Sequence, residues 1–357
     1  MEFISKNRLI PLRSGGKIQA TSGTARFVYV TKLLKYGPEG LRRAPNFLYL
    51  SQHMNHLDAI RLNFNPESLH VLNWILAFIM FGVALELKAA DFIRLKDQPK
   101  ASVVGIAAQF VLLPALTFLL IVVLRPHPSL ALGMMLVAAC PGGNISNFLT
   151  HLARGNTALS VSLTAFGTVL AIVSTPVNLS LWAGLYAPTS GLLHNISLDA
   201  WNMIETIVTL AGIPLVLGML VNHYFPRVAA WISKGVKPIS IVIFLGFVGI
   251  AFSNNYEHFT AHISKVVVLV LVHNAVALAT GYFAARWAGL PVADQRTISI
   301  ETGIQNSGLG LILIFRFFDG MGGMALVAAW WGIWHIVSGL TLALLWARFT
   351  PATVAAK

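Results

Sequence analysis

The chain reads ACPGGNISN at residues 139–147, in the middle of an otherwise apolar segment. A proline and two glycines interrupt the helical hydrogen-bond ladder at this point, and two asparagines and a serine follow them. Residues 300–308, IETGIQNSG, combine glycines and polar side chains in the same way and include a carboxylate, Glu301. Irregular backbone at membrane depth is stable only inside protein or beside a water-filled cavity. The two stretches therefore predict two discontinuous membrane helices around a polar site.

The composition supports a membrane protein. Of the 357 residues, 56% are hydrophobic and 11% are charged, whereas soluble domains carry about 25% charged residues. We therefore expect an all-α polytopic membrane protein. Cys140 is the one cysteine, which excludes a disulfide framework and a cysteine metal cluster. The net charge of +12 gathers in the loops and the N-terminal region, so it indicates a basic membrane protein rather than a nucleic-acid partner.

Nine apolar segments follow one another along the chain, each close to the ~20 residues that cross a ~30 Å hydrocarbon core. They cover roughly 66–87, 100–124, 129–153, 156–184, 200–223, 236–253, 264–287, 295–318 and 321–348.

The charges between the segments predict the orientation. One set of loops holds most of the Lys and Arg residues, while the alternate loops hold Arg125, Lys265 and Arg316 only. Because cytoplasmic loops carry the excess of positive charge, the first set and the tail at 351–357 are predicted to be cytoplasmic. We expect a multi-pass protein of the cell (inner) membrane, with its N-terminus outside.

The N-terminal region differs from the rest. Residues 1–65 contain no apolar run long enough to span, and residues 1–53 hold nine Lys or Arg against two acids. We interpret this region as a basic tail outside the membrane domain of residues 66–350. Two explanations of its charge stay open: a long tail crosses the membrane despite its charge, or the natural chain begins at Met54 and residues 1–53 are an upstream extension.

Several polar side chains fall inside the predicted spans. An ionised Glu301 at mid-membrane costs at least ~2.5–3.5 kcal/mol unless it is paired, and a bound cation is its natural partner; a protonated, hydrogen-bonded glutamate is the alternative. Ser160 and Thr164 share one helix face and offer hard oxygen ligands, although such hydroxyls often bond back to their own helix. Gln109 either joins the site or ties two helices together.

These motifs resemble the bile acid:sodium symporter family. The resemblance is carried by CPGGNISN at 140–147, LARGN at 152–156, ALSV at 158–161 and ETGIQNSG at 301–308, and it covers roughly 70–348. It implies an inverted-repeat transporter in which two discontinuous helices cross. The implied panel domain is about 66–87 and 200–253, and the implied core domain is about 100–184 and 264–348.

The resemblance also implies site residues. One sodium site would consist of Ser146, Asn147, Ser160, Thr164 and Glu301. A second would use Gln109, Glu301 and Gln305 with the backbone carbonyls of Thr302 and Ile304. The implied substrate cleft holds Asn144, Asn306 and His335, with structural hydrogen bonding as the alternative role of the histidine. Asn144 stands where relatives often carry threonine, a departure that concerns the substrate rather than the ions.

The expected function is symport of an organic anion, such as a bile acid or small carboxylate, coupled to two Na+ by alternating access, with no other cofactor. A proton-coupled or sodium-independent organic-anion carrier, or an arsenite-type carrier of related fold, is the alternative. An enzyme is not expected, because the chain contains neither HExxH nor GxSxG nor paired acids.

Overall fold

The computed structural model of this chain describes residues 66–196, 200–254 and 256–348. The predicted tails at 1–65 and 351–357, including the question of Met54, lie outside these ranges. The described part consists of helices and short connections, with no β-strand in it. In chain order the helices are α1 Pro66–Ala84, α2 Ala89–Arg94, α3 Pro99–Ala107 continuing through a π-helical turn Ala108–Leu112 into Leu113–Leu124, α4 Pro128–Ala139, α5 Ile145–Leu152, α6 Thr157–Leu185, α7 Ala187–Ile196, α8 Ala200–Ile207 continuing through a π-helical turn Val208–Gly212 into Ile213–Tyr224, α9 Pro226–Asn254, α10 Tyr256–Trp287, α11 Val292–Gly303, α12 Ser307–Phe317 and α13 Gly322–Arg348.

Several helices are long and apolar enough to cross a membrane, which confirms the expected class of all-α polytopic membrane protein. In the described part five uninterrupted helices are long and apolar enough: Pro99–Leu124, Thr157–Leu185, Trp201–Tyr224, Val266–Trp287 and Gly322–Arg348. The two segments predicted to be broken are broken, into α4 with α5 and α11 with α12.

Two short helices, α2 and α7, lie where the sequence predicted loops. At six and ten residues they are too short to cross a membrane. Helix α2 is capped by its own acid, since the buried Asp91 accepts a hydrogen bond from the Lys88 backbone N–H at 2.8 Å and one from Arg94 Nη1 at 3.1 Å. Local capping of this kind leaves no apolar run in the sequence, so this helix was not predicted. Helix α9 also begins earlier than predicted, at Pro226.

The broken spans lie at the centre of the helix packing. Every residue from Ser129 to Ala139 of α4 is buried, as are Leu309 to Phe315 of α12, which explains why these segments are apolar all round. Helix α4 packs against α6 and α13, and α10 packs along α11. Helices α1, α8 and α9 pack against one another.

A close helix contact joins α1 to α8 at Gly218. A Cβ added at this position would lie 2.5 Å from Ala84 Cβ and 2.8 Å from the Phe81 carbonyl oxygen. We expect Gly218→Ala to destabilise the protein by about 1–3 kcal/mol, because both contacts are with groups that cannot move aside. Thermal unfolding of the purified protein measures this. The matched control is Gly184→Ala in α6, where a Cβ meets none of the described residues within 4 Å. Equal unfolding midpoints for the two variants would contradict the packing argument.

Candidate ion-binding site

The two helix breaks lie face to face, and their backbones form hydrogen bonds with each other. Helix α4 ends before Pro141 because the residue preceding a proline is pushed into extended conformation, and Cys140 has φ −70° and ψ 157°. Gly143 N–H donates to the Ile304 carbonyl at 2.7 Å, and Asn306 N–H donates to the Pro141 carbonyl at 2.8 Å. This short antiparallel bridge fixes the crossing of the two broken spans.

Glu301 lies at the crossing and is only 4% exposed. Its Oε2 accepts hydrogen bonds from Ser146 Oγ at 2.7 Å and from Ser160 Oγ at 2.9 Å. Its Oε1 accepts one from Thr164 Oγ1 at 2.5 Å. Three hydroxyls from α5 and α6 therefore surround a carboxylate on α11.

Asn147 completes this group. Its Oδ1 lies 2.9 Å from Ser160 Oγ and 3.3 Å from Thr164 Oγ1, as an alternative acceptor for these two hydroxyls, each of which has one hydrogen to donate. The five residues predicted for the first sodium site thus lie together, as a carboxylate, an amide oxygen and three hydroxyls. Thr168, one turn further along α6, does bond back to its own helix, through the Thr164 carbonyl at 2.7 Å.

The residues predicted for the second sodium site form a neighbouring amide cluster. Gln109 lies in the π-helical turn of α3, a distortion common at functional sites. Its Nε2 donates to Gln305 Oε1 at 2.8 Å and to the Cys140 carbonyl at 3.0 Å. Gln305 Nε2 in turn donates to the Thr302 carbonyl at 2.7 Å.

Acceptor groups remain in this cluster. Gln109 Oε1 is buried and has no hydrogen-bond partner among the described residues. The Ile304 carbonyl accepts from Gly143 N–H, but a carbonyl oxygen has a second lone pair. The cluster therefore offers one amide oxygen without a donor among the described residues and carbonyl oxygens that can each accept a second contact.

The three residues predicted for the substrate cleft have different surroundings. Asn144 is exposed and Asn306 is half-buried. The Asn306 side chain caps α12 by accepting from Leu309 N–H at 3.1 Å. His335 is buried in α13, and its Nδ1 has no partner in the described part of the chain. The asparagines lie at the breaks, and no hydrogen bond among the described residues links the histidine to them.

A model of the sodium bile acid symporter family matches residues 74–262. The chain belongs to the sodium bile acid symporter family. Relatives of this family member include an uncharacterized sodium-dependent transporter YocS of Bacillus subtilis, 32% identical over 76% of this chain and 82% of the relative. The probable sodium/metabolite cotransporter BASS1 of Arabidopsis thaliana is 32% identical over 78% of this chain and 68% of its own. The human ileal sodium/bile acid cotransporter is 29% identical over 67% of each.

These relatives place the family member among sodium-coupled transporters of the membrane and not among enzymes, as the sequence predicted. The recognition of the family from its two broken-helix motifs is confirmed.

Two polar residues near the breaks were not predicted to support the site. Thr175 Oγ1 in α6 donates to the Ala139 carbonyl at 2.7 Å, and Asn274 Nδ2 in α10 donates to the Gly303 carbonyl at 2.8 Å. Each satisfies a carbonyl at the end of a half-helix, which has no partner in its own helix. These two residues could have been found from the sequence as a threonine and an asparagine within spans that neighbour a predicted break.

Proposed function

We propose that this family member is a symporter that moves two Na+ together with an organic anion by alternating access. The buried carboxylate of Glu301 carries the proposal. It accepts three hydroxyl hydrogen bonds, and it forms no salt bridge with a Lys or Arg of the described ranges. An ionised carboxylate buried in a membrane protein needs a compensating charge, and a bound cation would supply it.

The chemistry of the neighbours favours Na+ in the first site. Ser146, Ser160, Thr164 and the amide oxygen of Asn147 are uncharged, hard oxygen donors, which suit a small hard cation. When Na+ binds, the hydroxyl hydrogens that now point at the carboxylate would turn away and the oxygens would face the ion. One carboxylate balances the charge of one Na+, and the transported anion would carry the charge that offsets the second.

The second ion is proposed to bind beside Gln109. Its oxygens are proposed to come from the unpartnered Gln109 Oε1, the Gln305 side chain, the carbonyls of Thr302 and Ile304, and the Glu301 carboxylate, which both sites share. Unwound carbonyls at the end of a half-helix favour cations, because the negative end of the helix dipole lies there. Binding of both ions would order the two breaks.

The organic anion is proposed to bind where the second half-helices begin. The N-termini of α5 and α12 present the positive ends of helix dipoles, and such ends favour anions. Asn144 and Asn306 lie at their N-cap positions, and the Asn306 side chain caps α12. His335 is the third residue that we assign to this cleft. The human relative named as a bile acid cotransporter makes bile acids one class to test, and small carboxylates are the other.

Movement is proposed between two groups of helices. The mutual packing of α1, α8 and α9 supports a panel at about 66–87 and 200–253, against a core formed by the remaining spans. Rocking of the core against the panel would expose the crossing to each side in turn. The protein is proposed to lie in the cell (inner) membrane, and the positive loops support a cytoplasmic C-terminus and an external N-terminus.

The experiment is uptake of labelled bile acids and small carboxylates into proteoliposomes. Two Na+ with a monoanion move one net charge, so a potential of 100 mV, negative inside, adds ~2.3 kcal/mol of driving force. We expect uptake that needs an inward Na+ gradient and increases with this potential. Uptake that is driven by a proton gradient instead, or that does not depend on Na+, would contradict the proposal. It would favour the proton-coupled or sodium-independent carrier.

A further inference from the structure

A chain of hydrogen bonds connects α13 through α10 to the second helix break, and no ion ligand belongs to it. Ser338 Oγ donates to Asn274 Oδ1 at 2.6 Å, and Asn274 Nδ2 donates to the Gly303 carbonyl at 2.8 Å. Asn274 is fully buried. The Gly303 carbonyl lies between those of Thr302 and Ile304, which we assign to the second ion.

The first break has a matching contact. Gln109 Nε2 donates to the Cys140 carbonyl at 3.0 Å, just as Asn274 Nδ2 donates to the Gly303 carbonyl. Both carbonyls lie where the first half of a broken span ends, and both amides belong to the spanning helix that precedes that broken span. Each break is therefore held by one amide from the preceding helix.

The two amides differ in their oxygen atoms. Gln109 Oε1 is buried without a partner among the described residues, whereas Asn274 Oδ1 accepts the Ser338 hydroxyl. The Gln109 oxygen keeps both lone pairs for a cation, whereas Asn274 uses its Nδ2 on the Gly303 carbonyl and its Oδ1 on Ser338, an arrangement that orients the Gly303 peptide. The same side-chain chemistry thus serves two roles at the two breaks.

The hydrogen bond from Asn274 acts on a glycine, Gly303. A Cβ at Gly303 would collide with the side chain of Leu278 in α10, so a larger residue there would displace this leucine. Glycine has more accessible backbone conformations than any other residue. The hydrogen bond from Asn274 fixes the peptide plane that follows Gly303, and the carbonyls on either side of that plane are the proposed ion ligands.

We propose that Asn274, held in place by Ser338, is a positioning residue that sets the Na+ affinity of the second site without binding the ion. This inference rests on the proposed function, because it takes the Thr302 and Ile304 carbonyls to be sodium ligands. The free energy of Na+ binding depends on how well these carbonyls are preorganised, as it does for the groups that orient metal ligands in other proteins.

The test compares Asn274→Leu, Ser338→Ala and Ser338→Thr with wild type in the purified full-length protein. The matched control is Asn222→Leu, because Asn222 Nδ2 also donates to a backbone carbonyl, that of Leu87 at 2.9 Å, but away from both breaks. Two quantities are measured. The first is the Na+ concentration that gives half of the thermal stabilisation, with KCl replacing NaCl. The second is hydrogen exchange of residues 300–308 in KCl alone.

We expect Asn274→Leu to raise the half-saturating Na+ concentration by about tenfold or more and to speed exchange of residues 300–308 by about tenfold. Ser338→Ala should change the Na+ concentration and the exchange rate in the same direction. Ser338→Thr, which keeps the hydroxyl, should leave both at their wild-type values, and so should Asn222→Leu. A wild-type half-saturating concentration in Asn274→Leu, or an equal change in Asn222→Leu, would overturn the inference.

A failure of the proposed function would look different. The wild-type protein itself would then show no stabilisation by Na+ over K+, and exchange in KCl would decide the positioning role. Faster exchange of residues 300–308 in Asn274→Leu alone would support it, and unchanged exchange would overturn it.

Discussion

Replacing Glu301 with glutamine is expected to abolish sodium-driven uptake while the protein stays folded. Glutamine keeps the shape of the side chain and one acceptor oxygen, so the hydroxyls of Ser146, Ser160 and Thr164 retain part of their bonding. The charge that balances the ions is lost. Loss of a group that merely supports a metal ligand costs about 10–100-fold in affinity, and Glu301 is proposed to be a ligand of the ions themselves. We therefore expect the half-saturating Na+ concentration to rise by more than ~100-fold.

The measurement is uptake into proteoliposomes at increasing Na+, with thermal unfolding in KCl as the test of folding. The matched control is Glu205→Gln in α8, which removes the same charge from an exposed side chain. Glu205→Gln should transport as wild type does. Unchanged Na+-dependent uptake by Glu301→Gln would remove the basis of the proposed coupling.

Gly142→Ala is expected to disturb the same carboxylate from the opposite break. A Cβ at Gly142 would lie 2.6 Å from Glu301 Oε1 and 3.4 Å from the Glu301 carbonyl oxygen. The carboxylate would have to turn away from Thr164 Oγ1, to which it is now hydrogen-bonded at 2.5 Å. Overpacking of this kind costs about 1–3 kcal/mol. Because the strain falls on the ion ligand, we expect the half-saturating Na+ concentration to rise by about tenfold or more.

Gly310→Ala in α12 is the control for this change. Among the described residues a Cβ there would meet only Cys140 Sγ, at an ordinary contact distance of 3.6 Å. The two variants add the same methyl group near the crossing, but only one of them reaches Glu301. Na+ titration of thermal stabilisation compares them, and an equal response of both variants would show that the added methyl group at Gly142 does not act through the carboxylate.

The breaks were predictable because their causes are local. Pro141 and the glycines beside it cannot continue a helix, and the polar residues that follow mark a site in an apolar chain. The common face of Ser160 and Thr164 followed from helical spacing alone. The structure brings these hydroxyls to Glu301, which is the arrangement that the family resemblance implied.

Other features depend on contacts between distant parts of the chain. Thr164 and Thr168 have the same chemistry and lie one turn apart, yet one meets Glu301 and the other bonds back to its helix. The packing of α6 on α5 and α11 makes this difference, and no local pattern encodes it. For the same reason the donor Thr175 was missed and the carbonyl that Asn274 satisfies was not predicted, since the orientation of these carbonyls is set by the geometry of the breaks. The assignment of sodium sites and of core and panel domains stays a prediction.

The central claim is that Na+ binds at Glu301, and one titration tests it most directly. The unfolding temperature of purified wild-type protein is measured while NaCl replaces KCl at constant total salt. A ligand that binds only the folded state stabilises it by about 2.7 kcal/mol at one hundred times its dissociation constant. We expect a saturable rise with Na+ that disappears in Glu301→Gln. Equal unfolding temperatures in NaCl and KCl, or an undiminished rise in Glu301→Gln, would contradict it.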